Sequence, residues 1–294
     1  MTQKVPAADA RALRVGLVQM CSSRNVAENL AEASRAIRTA AAKGARYVQT
    51  PEFTVLMEMQ SKRLFAETKP EAENPALAEL KTLARDLGIH LHLGSMGILV
   101  EPGRIANRSY LIGPDGRVAA SYDKIHMFDA ALGGGDNFRE SKNFAAGGRA
   151  VVADMTGARL GMTVCYDLRF AGLYRALAKA GAELIAVPSA FTRQTGEAHW
   201  HTLLKARAVE TGAFVLAAAQ TGSHACGRDT YGHSLVVSPW GEVVAEGGVQ
   251  TSVIVADIQL QEVESARRRM PSLEHDRPFE VVQAPADRDL ERPL

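Results

Sequence analysis

A single mixed α/β domain is the fold class the sequence predicts, on three observations. Apolar runs of strand length alternate with helix-periodic segments over the first hundred residues. A helix-free series of short strands follows, and the alternation resumes near residue 158. The chain has 294 residues, 46% apolar and 23% charged, which suits one large globular core and excludes a fibrous or disordered chain.

The elements read in order. After about ten polar residues, LRVGLVQM (13–20) is a buried strand. The helix at 25–44 opens on Asn25 with Glu28 three residues on, a capping-box pattern, and stops at Gly44. RYVQTPE (46–52) is the next strand, Pro75 to Leu87 a helix, and 89–100 a strand. RIANRSYLIGP, GRVAASYDK and AVVADMTG, set off by Pro-Asp-Gly and Gly-rich turns, read as antiparallel additions to a mixed sheet. Between them, 127–149 is Gly-rich and without periodicity, a functional or unstructured loop. The second half alternates again through ARLGMTVCYD, FAGLYRALAKAG, ELIAVPSA, EAHWHTLLKARAVETG and AFVLAAAQTG. Strands at HSLVVSP, EVVAEGG and SVIVADI and a helix near 259–269 follow. The two halves share a rhythm but no sequence repeat.

Charge and cysteine usage exclude several classes. A formal net charge of +1 with dispersed Lys and Arg gives no nucleic-acid footprint, and Arg267-Arg268-Arg269 reads as a solvated helix end. No stretch reads as membrane-spanning or secretory, so a cytoplasmic location is expected. Cys21, Cys165 and Cys226 form no disulfide framework and no zinc pair, and no metal or other cofactor is expected. Cys226 with His224 has too few ligands for a metal, and Cys21 reads as a small core residue.

Cys165 ends the apolar run LGMTVC just where a helix is due to begin. Unpaired N–H groups there favour a thiolate, and the N–H of Tyr166 could hold an oxyanion. A buried structural thiol is the plain alternative, so partners decide. His90 and His92 on one strand face, and His199 and His201 flanking Trp200, read as packed or surface histidines rather than a base. Ala171 stands where a phosphatase Cys-x5-Arg loop needs arginine. Glu52 and Lys124 also follow strands directly, and ligands in α/β sheets gather at the carboxyl ends of strands.

PEF at 51–53, YDKIHMFD at 122–129 and VCYDLRF at 164–170 resemble the three catalytic blocks of the nitrilase superfamily of carbon–nitrogen hydrolases, in the same order and at similar separations. FRESKNFAAGG resembles the segment carrying a second glutamate, Glu140. The segments PSAFTRQTGEAHWHTLLKARAVE and AAAQTGSHACGRDTYGHSLVVSPWGEVVAE are similar to the deaminated glutathione amidase and omega-amidase branch. The resemblance implies a four-layer α-β-β-α sandwich as one domain over 1–270, with 271–294 a tail able to serve as an oligomer contact. It also implies a homodimer or larger assembly meeting through the helices at 169–180 and 195–211.

The chemistry implied is cofactor-free amide hydrolysis. Cys165 is the nucleophile, Glu52 the general base, Lys124 with the Tyr166 N–H the oxyanion holder, and Glu140 a support for Glu52 or Lys124. Ser189, Ala190 and Phe191 are expected to line the substrate pocket, Arg193 to bind a substrate carboxylate, and Asp167 to pair with Arg169 at the nucleophile turn. The substrate implied is a small carboxylate-bearing amide, deaminated glutathione first, an alpha-ketoglutaramate-like amide or an N-carbamoyl compound next. An inactive binding module on the same scaffold is the non-enzyme alternative. FTVLMEMQSKR, after Glu52, departs from the amidase pattern and is where acyl selection is expected.

Overall fold

The computed structural model describes residues 11–133 and 136–283. In chain order the elements are β1 (Ala12–Gln19), α1 (Val26–Ala42), β2 (Tyr47–Gln49), α2 (Ser61–Glu67), α3 (Pro75–Leu87), β3 (His90–Glu101), β4 (Arg104–Ile112) and β5 (Val118–Asp123). The middle adds β6 (Asp129–Gly133), β7 (Asp136–Arg139), β8 (Phe144–Ala145), β9 (Val151–Met155) and β10 (Ala158–Met162). Then come α4 (Ala171–Lys179), β11 (Leu184–Ala186), α5 (Arg193–Thr211), β12 (Phe214–Ala217), β13 (Thr221–Ser223) and β14 (Asp229–Tyr231). The last elements are β15 (Leu235–Val237), β16 (Val243–Glu246), β17 (Ser252–Gln259) and α6 (Gln261–Arg269).

Two sheets share one plan. The first runs β17-β1-β2-β3-β4-β5, with β8 added to β4, and the second β16-β15-β12-β11-β10-β9. In each, three parallel strands sit at the centre (β1, β2, β3 and β10, β11, β12) and antiparallel strands flank them. The halves are therefore related in topology, which the sequence rhythm hinted at without a repeat. Val15, Leu17, Tyr47, Leu111 and Tyr122 of the first sheet join Leu160, Met162, Ile185, Leu216 and Val236 of the second in one apolar core between the sheets. Ala33, Ile37 and Ala40 of α1 and Leu77, Leu80 and Leu83 of α3 cover the outer face of the first sheet. Tyr174 and Leu177 of α4 and Trp200, Leu204 and Ala208 of α5 cover the second. All four layers lie within one chain.

Several local expectations are refined. Asn25 does cap α1, its Oδ1 accepting from the N–H groups of Ala27 (3.0 Å) and Glu28 (3.3 Å). The Asn25 N–H donates to Ser23 Oγ instead of Glu28, so only half of the capping box forms. The 127–149 segment is not structureless: β6 pairs antiparallel with β7, and a short 3₁₀ turn at Glu140–Lys142 follows. Of the basic run, Arg267 is not solvated: its Nη2 donates to Ala182 O (2.6 Å) and its Nε to Thr211 O (3.1 Å), tying α6 to the turn before β11 and to the end of α5. Arg269 lies over the Trp240 ring at 3.9 Å. His92 is fully buried between Tyr47 Oη (2.9 Å) and Ser109 Oγ (2.7 Å), and burial lowers its pKa to about 3. It is a packed histidine, as expected. Asp276 pairs with Arg175 and Lys179 of α4, so the start of the tail lies on the second sheet's helix layer. The tail beyond 283 and the first ten residues lie outside the described residues.

Candidate active site

The chain passes from β2 through Glu52, from β5 into Lys124 and from β10 into Cys165, and the three side chains meet in one cavity of about 190 Å³. Gly94 makes the meeting possible. A Cβ there would stand 2.0 Å from Thr50 O and 2.6 Å from the Pro188 side chain, so only glycine lets the loop before Glu52 and the loop after β11 close over β3. Pro188 O in turn accepts from the Cys165 N–H (2.9 Å), and the Ala190 N–H donates to Glu52 Oε2 (2.9 Å).

Lys124 is the hub. Its Nζ lies 2.9 Å from Glu52 Oε1 and 3.1 and 2.8 Å from the two oxygens of Glu140. Lys124 and Glu52 are each 1% exposed. Burial alone pushes the ammonium toward the neutral amine, but the charges of Glu140 and Glu52 outweigh it, and Lys124 is held protonated well above its ordinary range. Burial likewise pushes Glu52 up. The Lys124 and Arg228 charges, with the Cys165 thiol, reverse this and hold its carboxyl below the usual range. Asn107, fully buried on β4, was missed in the sequence. Its Nδ2 donates to Glu52 Oε1 (2.9 Å) and to Glu140 Oε1 (3.1 Å), so one amide fixes both carboxylates, and its backbone O accepts from the Lys124 N–H (3.0 Å). Glu140 also accepts from the Phe128 N–H at 2.6 Å. An asparagine in an ordinary strand pattern carries no sequence signal for this.

Cys165 departs from expectation in one respect. It opens a five-residue 3₁₀ turn, Cys165–Arg169, rather than a long helix, with φ of 51°. Burial and the Glu52 charge push its thiol well above the ordinary range despite Lys124 and Arg228, so the resting group is a thiol and the expected thiolate is not supported. A buried thiol beside an ionised carboxylate can be deprotonated by that carboxylate as it attacks. The left-handed backbone of a non-glycine residue is strain held at Cys165.

Asp167 does hold the turn, but not through Arg169. It accepts from the Val164 N–H (2.8 Å), Tyr122 Oη (2.7 Å), the His126 N–H (3.0 Å) and His126 Nδ1 (2.7 Å), which locks the Cys165 turn to the segment carrying Lys124. Arg169 instead lies over the rings of Tyr166 (5.8 Å) and Phe191 (5.4 Å). Asp167→Ala strands four donors at a fully buried position, and a loss of about 3–5 kcal/mol in urea unfolding is expected.

The predicted pocket residues divide. Tyr166 and Phe191 line a small recess at Cys165 together with Ala190. Ser189 does not line it: its Oγ donates to Val187 O (3.0 Å) and its backbone pairs with Ala218 and Gln220, so it is a strand-end support. Arg193 does not face Cys165 either. It lies in an adjoining outer cleft of about 610 Å³ with Thr192, Gln194, Cys226 and Asp229. Arg228, unmarked in the sequence, borders both the inner cavity and the outer cleft; it donates to Ala190 O and its buried Nε has no partner among the described residues. The 53–63 segment that departs from the amidase pattern supplies Phe53, Met57, Glu58, Met59 and Ser61 to the inner wall, and Leu64 follows it there. Cys21 sits 3.7 Å from His224 Nδ1, away from the cavity.

Comparison with known proteins gives a consistent picture. A deaminated glutathione amidase of Yersinia enterocolitica is 40% identical over 90% of this chain and 92% of that protein. The omega-amidase of Homo sapiens is 33% identical over 88% of this chain and 92% of its own. An amidase from Nesterenkonia sp. AN1, solved with the acetamide moiety of fluoroacetamide added covalently at its active-site cysteine, is similar in fold with a TM-score of 0.75. The two are 28% identical over 93% of this chain and 100% of that one. The family model for carbon-nitrogen hydrolases matches residues 14–268, a span that starts within β1 and holds every later strand and every residue of the cavity. On that match the chain belongs to the carbon-nitrogen hydrolase family.

Proposed function

We propose that the chain hydrolyses the terminal amide of a carboxylate-bearing substrate, deaminated glutathione foremost, through a thioester on Cys165. The observation that carries this reading is the enclosure of Cys165, Glu52 and Lys124 in one cavity. Cys165 Sγ attacks the amide carbon as its proton passes to Glu52. The tetrahedral oxygen is held by Lys124, where it takes over one of the two Glu140 contacts, and by the Tyr166 N–H. Glu52 returns the proton to the amide nitrogen as the C–N bond breaks, and ammonia leaves. Water then attacks the thioester, giving a proton to Glu52. The C–S bond breaks, the acid departs and the sulfur regains its proton. Glu140 and Asn107 position Lys124 and Glu52 rather than react.

The larger outer cleft shares Met59, Asn137, Phe138 and Arg228 with the wall of the inner cavity, which supports a substrate longer than alpha-ketoglutaramate. Arg228, whose buried Nε–H at the junction has no partner among the described residues, suits a carboxylate partway along it, and Arg193 one farther out. Ammonia release over a panel of amides, ureas and nitriles tests the function. Deaminated glutathione should give the highest kcat/KM, and no turnover with any member would favour a binding module. With Arg228→Gln, the preference for a carboxylate-bearing amide over a neutral one of equal length is expected to fall about tenfold or more. An unchanged ratio would remove Arg228 from substrate recognition.

A further inference from the structure

Two sequence elements, His-Trp-His in α5 and Tyr-Gly-His-Ser ahead of β15, supply side chains that the cavity does not use. The fold brings them together with the end of β16. His201 Nε2 lies 2.9 Å and His233 Nδ1 2.7 Å from the same oxygen, Oε1 of Glu246, and the three atoms lie within 4.8 Å of one another. None of these residues lines the cavity or the outer cleft.

The arrangement is built. A Cβ at Gly196 would stand 2.3 Å from the Tyr231 ring, so glycine in α5 lets Tyr231 pack on the helix. That ring stacks on the His233 imidazole at 4.4 Å and meets His201 edge-on at 6.0 Å. The His233 backbone is pinned on both sides: its N–H donates to Gly248 O (3.0 Å) and its O accepts from Trp200 Nε1 (2.8 Å). It is held at φ of 54°, in the left-handed region.

We propose that His201, His233 and Glu246 form a binding site for a borderline divalent transition-metal ion such as zinc or nickel. Two imidazole nitrogens and one carboxylate oxygen are the donor set such ions prefer over magnesium or calcium. The side chains are 34%, 23% and 36% exposed, which leaves outer coordination positions open to water. As ion pairs at that exposure they contribute little to stability, so convergence from three elements is poorly explained by pairing alone. A bound ion would tie α5, whose first turn borders the outer cleft, to the β15–β16 hairpin.

The test uses untagged, chelator-stripped protein titrated calorimetrically with zinc chloride at neutral pH, alongside thermal unfolding with and without the ion. One equivalent is expected to bind and to raise the Tm by several degrees. His201→Gln, a half-exposed position, and His233→Asn, which tolerates the left-handed backbone, should each weaken binding at least tenfold. Cys21→Ser and Cys165→Ser control for thiol binding and should leave the affinity unchanged. No saturable binding, parental affinity in both histidine variants, or a loss confined to the cysteine variants would each overturn the site.

Discussion

Ammonia release by the Cys165→Ala chain is expected to fall at least about 10⁴-fold, while its thermal midpoint stays within a few degrees of the parent. The loss is large because the carboxylates beside Cys165 are already engaged, Glu52 and Glu140 being bound to Lys124 and Asn107, and the nearby Ser189 Oγ is turned to Val187 O. Stability is largely spared because the substitution removes only a sulfur atom beside Glu52 and alanine occupies the same strained backbone. The strain gives an internal check. Cys165→Gly relaxes φ of 51° and should exceed Cys165→Ala in stability by about 0.5–1 kcal/mol, with activity equally lost. Retained turnover in either variant would end the thioester mechanism, and a fall in turnover matched by unfolding would assign Cys165 to the core.

Which parts of this site could be read from the residues follows from distance along the chain. Glu52, Lys124 and Cys165 each follow a strand, and strand ends are visible as the point where an apolar run stops. Their convergence needed only the rule that sheets gather ligands at such ends, together with the spacing of three motifs. Asn107 was invisible because its role depends on β4 lying between β3 and β5, a register that no local pattern encodes. Arg228 was hidden for the same reason: a loop arginine is solvated unless another loop closes on it, and here the 137–139 segment does. The 127–149 stretch read as a loop because its hairpin strands are short and separated by a run of glycines in the sequence, with pairing set by each other rather than by a buried face. Asp167 was assigned the nearest opposite charge in sequence, whereas burial rewarded four donors from farther away.

Lys124→Ala is expected to destabilise the protein by about 3–5 kcal/mol at pH 7.5, besides abolishing ammonia release, because it leaves buried carboxylates without their cation. The sign of its pH dependence distinguishes this cause from a simple cavity. In the parent, Glu52 has a folded pKa below its unfolded value. Its contribution is present above the ordinary carboxylate range and is lost as pH falls through the lowered value. Without Lys124, burial is the largest remaining influence, and only the Arg228 charge and the Cys165 thiol oppose it. The folded pKa then lies above the unfolded one, ionisation at neutral pH opposes folding, and the variant gains stability as pH falls from 7.5 toward 5. Urea midpoints at the two pH values should therefore converge between parent and variant on acidification. Adding Glu140→Gln to Lys124→Ala removes one of the two uncompensated charges and should restore about 1–2 kcal/mol at pH 7.5 without restoring activity. A deficit independent of pH and unaffected by Glu140→Gln would mean that Lys124 acts through packing alone.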